Sequence, residues 1–280
     1  LEAMQVEVHR TKSREVLNYF SKVFGKKSLP QGGVSTAKSF KAKALLFIRS
    51  NFFVPDPRRG WNRFAYRKAC ELIQLNDIQT VITTSPPHST QLIGKKLKDR
   101  LKVKWIADFR DPWSDIFTYE EFSQLPFVSR YEKSLERKVI TSADRLITVG
   151  PTLKKGLEEI GNRNDISVIT NGYDHEVSVP SPLEKEFNSK VIKIVYTGTM
   201  GAIYTPNVFF DALRELEGQS KLQFQVDFFG SVSPAIQEQA RAAGLEDTMI
   251  TFHPTISYHQ SLKEMRKADI LLLVIPHAKS

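Results

Sequence analysis

Short apolar, β-branched runs alternate with longer segments in which apolar positions recur every three or four residues, from about residue 60 to residue 275. The runs Thr80 to Thr84, Val103 to Ala107, Asp144 to Val149, Ile166 to Ile169, Val191 to Tyr196, Leu222 to Phe229, Met249 to Phe252 and Ala268 to Ile275 predict strands. Helices are predicted between them, at Asn62 to Leu75, Thr90 to Leu101, Val128 to Ser142, Thr152 to Ile160, Pro206 to Leu216, Pro234 to Ala243 and Tyr258 to Lys267. That beat predicts an α/β protein with parallel sheets covered on both faces. Ahead of it, Met4 to His9 alternates like a strand. Thr36 to Arg49 reads as a helix with Lys38, Lys41 and Lys43, which suits either a membrane surface or a core with one solvated side. Val54 to Trp61 is a two-proline turn.

The beat breaks once. Val177 to Asn188 holds two prolines and little periodicity, which predicts a linker over residues 176–190 between domains at 1–175 and 191–280. The chain opens without methionine and ends just after an apolar strand, so it reads as a fragment with both domains incomplete. No stretch approaches the ~20 apolar residues of a membrane span.

Charge changes the picture more than composition does. Of the net +9, residues 1–170 hold 30 lysines and arginines against 18 acids, whereas residues 171–280 hold 10 against 13. A basic first half facing a neutral second half suits a phosphate-bearing partner: nucleic acid, an anionic membrane or a lipid-linked substrate. Nucleic acid is disfavoured, because the aromatic residues fall in strands and turns instead of among the basic ones. The single cysteine, Cys70, excludes an intrachain disulfide; it sits in a helical pattern as a packing residue, and a cytoplasmic setting is the expectation.

Candidate chemistry gathers where apolar runs stop. Val103 to Ala107 ends in Asp108, Arg110 and Asp111 between two tryptophans, Trp105 and Trp113, with Pro112 forcing a turn. In open α/β sheets ligands bind beyond the carboxyl ends of strands, so these charges form either a cleft site or an ion pair closing a turn. Thr84-Ser85-Pro86-Pro87-His88-Ser89 ends the preceding strand, where free amides at a helix start can hold an anion and His88 is either a site residue or a cap. In the second half, Gly198-Thr199-Met200-Gly201 follows a strand and precedes a helix, a diphosphate cradle or a structural turn. His253 and His259 lie too far apart, without cysteines or a carboxylate cluster, for a metal site.

Taken together, the Ser85 to Ser89 segment, the Trp105 to Trp113 segment, Val168 to Asp174 and Tyr196 to Thr199 resemble bacterial glycosyltransferases of family 4 over roughly residues 5–275. The Asp108-Phe109-Arg110-Asp111-Pro112-Trp113 string is the specific piece. The resemblance implies the GT-B architecture, two Rossmann-like domains across a cleft, and retaining transfer from a nucleotide sugar to a glycan or lipid-linked acceptor in envelope polysaccharide synthesis, without metal or other cofactor. Alternatives are a sugar-nucleotide epimerase and a non-catalytic binding protein of the same fold. It also implies a cytoplasmic enzyme, peripheral on the inner face of an anionic membrane. Asp108, Arg110 and Asp111 would be catalytic, Ser85 and His88 would line the acceptor side, and Gly198, Thr199, Gly201, Gly230, His253 and Thr255 would bind the donor. Gly198 to Asn207 holds none of the arginine or lysine that many members place there. The family's donor-site glutamate is expected beyond Ser280, so the 280 residues alone are expected to be inactive.

Overall fold

The computed structural model describes residues 6–14, 47–114, 124–172, 191–219, 222–246 and 248–275, which fall into two compact units, one ending at Gly172 and one beginning among the described residues at Val191. In the first, a 3-10 turn at Pro57–Trp61 leads into α1 (Asn62–Leu75), β1 (Thr80–Ser85), α2 (Ser89–Leu101), β2 (Lys104–Phe109), α3 (Pro126–Ser142), β3 (Arg145–Thr148), α4 (Pro151–Gly161) and β4 (Ile166–Val168). The strands form one parallel sheet in the order β1-β2-β3-β4.

Because each strand is added on the same side of the last, every right-handed crossover passes over the same face. Trp105, Ala107, Phe109, Leu146 and Ile166 on that face pack against Val139 and Ile140 of α3, Leu157 of α4 and Leu92 of α2. The opposite row, Ile82, Ile106 and Ile147, has no helix over it among the described residues, and Ile82 is 60% exposed. Cys70 of α1 packs partly buried beside Ile73, Ile93 and Leu97, as its place in a helical pattern predicts.

The second unit contains β5 (Val191–Thr197), α5 (Asn207–Gln219), β6 (Gln223–Phe229), α6 (Pro234–Ala242), β7 (Ile250–His253), α7 (Tyr258–Lys267) and β8 (Ile270–Leu271). Its sheet runs β7-β6-β5-β8, all parallel, with the chain reversing its direction of growth at β5. Ile194, Tyr196, Val226, Phe228 and Ile250 form an apolar face under Phe210 and Leu213 of α5 and Ile236 and Ala240 of α6. The reversal sends α7 to the other, polar face, where Lys193 pairs with Glu264.

Three expectations change. Residues 6–9 form no strand, and Val6 and Val8 are exposed. β8 keeps two of the eight residues expected: β5 is its only partner among the described residues, and beyond it Leu272 and Val274 still pack against the core while Leu273 and Ile275 lie exposed. β2 runs to Phe109, so Asp108 lies inside the strand. The basic helix expected at 36–49 lies outside the described residues up to residue 46, with residues 47–52 helical, and the linker at 176–190 lies wholly outside them. No described helix is long and apolar enough to cross a membrane.

Candidate active site

At the carboxyl end of the first sheet, Asp108 and Arg110 are two apart in extended chain and so project to the same side. Arg110 Nε meets Asp108 Oδ2 at 3.1 Å, and Nη1 donates to Asn171 Oδ1 at 2.5 Å. Asp108 is buried, with Oδ1 shielded from solvent and bonded to nothing, while half of Arg110 remains exposed. A shielded carboxylate oxygen without a donor is costly unless a ligand supplies one. Asp111 is exposed.

The strand end is tied down by polar groups beneath it. Gln91 of α2, fully buried, donates to the Asp108 carbonyl at 2.9 Å and to Ser85 Oγ at 3.0 Å, and accepts from Thr83 Oγ1, which in turn receives Trp105 Nε1. Ser85 Oγ also donates to the Asp108 carbonyl. The hydroxyl of Ser85 is thus committed to the scaffold. Gln91 was hidden in the sequence, since a glutamine in the first turn of a helix reads as an ordinary polar position.

The helix start expected to hold an anion is already filled. Asp56 Oδ2 accepts from Ser89 N at 2.6 Å and Asp56 Oδ1 from Ser89 Oγ at 3.0 Å, so a carboxylate of this chain takes the α2 N-terminus. His88 packs flat on Trp113, ring centroids 5.1 Å apart, and both ring nitrogens are shielded and unbonded. Burial pushes His88 down to about 4, the Pro112 carbonyl acting weakly the other way. It is therefore neutral in the folded protein at pH 7.

This shift has a sign that can be measured. The folded state favours neutral His88 and the unfolded chain titrates near 6.5, so the unfolded state binds more protons between those values. The contribution is complete above pH 6.5 and is lost as pH falls toward 4, about 3 kcal/mol in all. His88→Phe, which keeps a ring on Trp113, is expected to flatten the fall of unfolding free energy over that range in urea titrations at stepped pH.

Below the turn, α3 contributes two buried carboxylates four residues apart. Glu132 Oε1 accepts from Trp113 Nε1 at 3.2 Å, and Glu136 Oε2 accepts from the backbone and hydroxyl of Ser114. Burial raises the Glu136 carboxyl, the Ser114 hydrogen bonds partly opposing it. They position the tryptophan on which His88 rests.

In the second unit the loops after β5 and β6 press together. Gly198 N donates to the Phe229 carbonyl, Met200 N to Ser231, and Ser233 N back to Met200, at 2.8 to 2.9 Å. Gly198 and Gly230 sit at φ +146° and +135°. The amides of Thr199 and Gly201 donate to no backbone group among the described residues. His253, at the end of β7, stacks on Phe229 at 4.4 Å and holds Asp227 Oδ1 through Nε2 at 2.7 Å. Asp227 is buried and also meets Gln225 Nε2 at 3.0 Å and Lys193 Nζ at 3.5 Å. Nδ1 is the ring nitrogen of His253 that this contact leaves unused. Thr255 is exposed two residues on. Asp227 escaped notice because its link to His253 spans 26 residues; its only sequence signal is a carboxylate between Val226 and Phe228 in an apolar strand.

Among the described residues no group of three or more His, Cys, Asp or Glu is arranged to hold a metal. Each sheet therefore carries its own cluster of candidate residues at its carboxyl end.

Comparison with known proteins agrees with this architecture. The model of Glycosyltransferase Family 4 matches residues 32–177. Among solved structures, Anabaena Alr3699/HepE in complex with UDP aligns with TM-score 0.54 at 15% identity, over 78% of this chain and 58% of that one. The chain thus spans less than two thirds of that protein's length. A trehalose-6-phosphate synthase studied with bisubstrate glycomimetics aligns with TM-score 0.53 at 14% identity, over 95% and 76%. Both likenesses concern the fold, α/β with two parallel four-stranded sheets of the GT-B type. No curated protein matches.

Proposed function

Since the chain belongs to glycosyltransferase family 4, we propose that it forms part of an enzyme that transfers a sugar, with retained configuration, from a nucleoside diphosphate to a glycan or lipid-linked acceptor of the cell envelope. The two sheet units act as separate domains, the first serving the acceptor and the second the donor. The observation that carries this reading is the uncommitted Oδ1 of buried Asp108 beside the half-exposed Arg110. Asp108 accepts a hydroxyl of the acceptor, and Arg110, held on Asn171, fixes the other oxygen of that carboxylate. Asp111, in reach of solvent, joins them in orienting the acceptor, and neutral His88 shapes the apolar side of the site.

On the donor side the Thr199 and Gly201 amides meet the diphosphate, while Gly198 and Gly230 let their two loops approach closely enough to present them. His253 Nδ1 and Thr255 face the nucleoside.

The test, on the full-length protein, is transfer of label from a panel of nucleotide sugars to membrane extracts, with thermal shifts for the free nucleoside diphosphates. One nucleotide is expected to raise the melting temperature, and its sugar to appear in the lipid or glycan fraction. Conversion of the free nucleotide sugar without an acceptor would assign an epimerase instead. No shift and no turnover with any nucleotide would overturn the proposal.

A further inference from the structure

Asp227 is a carboxylate in an apolar stretch of β6, 3% exposed, between Val226 and Phe228. Strand register decides whom it meets. β5 sets Lys193 opposite Gln225 and β7 sets His253 opposite Phe229, so Asp227 lies diagonal to both on one face of the sheet. Its two oxygens divide these neighbours. Oδ2 meets Gln225 Nε2 at 3.0 Å and Lys193 Nζ at 3.5 Å, and Lys193 lies as close to Glu264 of α7. Oδ1 faces His253 Nε2 at 2.7 Å.

A carboxylate only accepts, so the ring nitrogen facing it carries the proton. Phe229, stacked on His253 with centroids 4.4 Å apart, fixes the plane of the ring, and Asp227 fixes its rotation within that plane. One third of the His253 side chain remains exposed. Gly230 N donates to the His253 carbonyl at 3.3 Å, which seats the ring beside the loop after β6. For stability alone an apolar residue at position 227 would serve as well, because a buried ion pair recovers little beyond its own desolvation cost. What the carboxylate adds is a fixed proton position.

We propose that Asp227 is a positioning residue of the nucleotide site: by holding the His253 proton on Nε2 it leaves Nδ1 a hydrogen-bond acceptor for an N–H or O–H group of the bound nucleoside. The proposal rests on the donor reading of the second unit and adds the residue that sets the polarity of the contact. Asp227→Asn gives it a sign. Oδ2 faces Gln225 Nε2 and Lys193, which can only donate, so the asparagine keeps its oxygen there and turns its NH2 toward His253. Nε2 must then accept, and the proton moves to Nδ1. The nitrogen that meets the ligand changes from acceptor to donor in a side chain of unchanged shape.

The experiment uses the full-length protein with isotope-labelled histidines, read by nitrogen NMR, the His253 ring signals being assigned by their loss in His253→Ala. At about pH 8.5, where an ordinary histidine is neutral, the proton is expected on Nε2 in the unsubstituted protein and on Nδ1 in Asp227→Asn. Calorimetric titration with uridine, adenosine and guanosine diphosphate should find one that binds, and that binds Asp227→Asn about tenfold more weakly. In a His253→Ala background the same substitution should cost nothing further, because Asp227 acts through the ring. A proton on Nδ1, or on both nitrogens, in the unsubstituted protein would overturn the proposal without any variant, so misfolding of Asp227→Asn cannot shield it. Unchanged affinity of Asp227→Asn would overturn it too, and so would an equal loss in both backgrounds, which would assign Asp227 to the scaffold. Failure of the donor reading looks different: no diphosphate would bind the unsubstituted protein, and the proposal would fall with it.

Discussion

Asp108→Asn is expected to lower sugar transfer by about 10²- to 10³-fold, the scale of losing one preorganised electrostatic contact, while leaving the protein as stable as before or more so. The two effects have one origin. The carboxylate lies inside β2 with Oδ2 on Arg110 Nε and Oδ1 shielded and unbonded, an arrangement that opposes folding because an ionised oxygen has left water for nothing. The neutral amide has nearly the same shape, keeps an oxygen for Arg110 and puts an uncharged NH2 where a carboxylate oxygen stood, which lowers that penalty. The ties that hold the strand end, from Gln91 and Ser85, go to the Asp108 backbone carbonyl and survive the change. A group that costs stability and lowers turnover when neutralised is serving the reaction. The check is kcat and KM beside a urea titration of the same preparation. Full turnover in the variant would return Asp108 to the bland reading, an ion pair closing a turn.

That bland reading was half right, and the sequence shows why. The Asp108–Arg110 pair exists, as two residues on one side of an extended chain must allow, but the apolar run ends at Ala107 and so predicts a turn where β2 continues to Phe109. Strand and helix positions were legible wherever an apolar run was bounded by glycine, proline or a charge cluster: Tyr258–Lys267 and Asn62–Leu75 fall where the periodicity puts them. What fails is what depends on a neighbouring strand. Ala268 to Ile275 has the composition of a long strand, yet only Ile270 and Leu271 are strand, and the last bond to β5 is made by Leu272 N.

The site was legible as a set of strand ends and no further. Residue types at Asp108, Arg110, His88 and His253 announce chemistry. The groups that hold them do not: Asn171 lies 61 residues from Arg110, Trp113 lies 25 from His88, and Asp227 lies 26 from His253. Each contact follows from sheet register, which aligns Phe229 with His253 and so brings Asp227, two residues earlier on the same face, within reach. Composition carries no trace of register. Asp56 teaches the same point in reverse, because an anion-ready helix start looks vacant until the carboxylate that fills it, 33 residues upstream, is seen.

Gly230→Ala should be the most destabilising of the small substitutions, by about 3 to 5 kcal/mol, and the cost should fall on the second unit. A Cβ at this position would stand 2.0 Å from the Gly198 carbonyl oxygen and 2.9 Å from its carbon, both backbone atoms with no side-chain freedom to yield. The φ of +135° is itself foreign to alanine, a strain of about 1 to 3 kcal/mol. Relief requires the loops after β5 and β6 to separate, which gives up the Gly198–Phe229 and Met200–Ser231 hydrogen bonds at about 1 kcal/mol each. Gly201→Ala is the control, since nothing lies within 4 Å of the added carbon and its φ is not positive. It should change stability by less than about 1 kcal/mol. All three tryptophans, Trp61, Trp105 and Trp113, belong to the first unit, so the reading must come from amide exchange along β5 and β6. Exchange there should quicken in Gly230→Ala and hold in Gly201→Ala. Equal protection in both would mean that the loops can part freely, and the Thr199 and Gly201 amides would then not be held ready for a diphosphate.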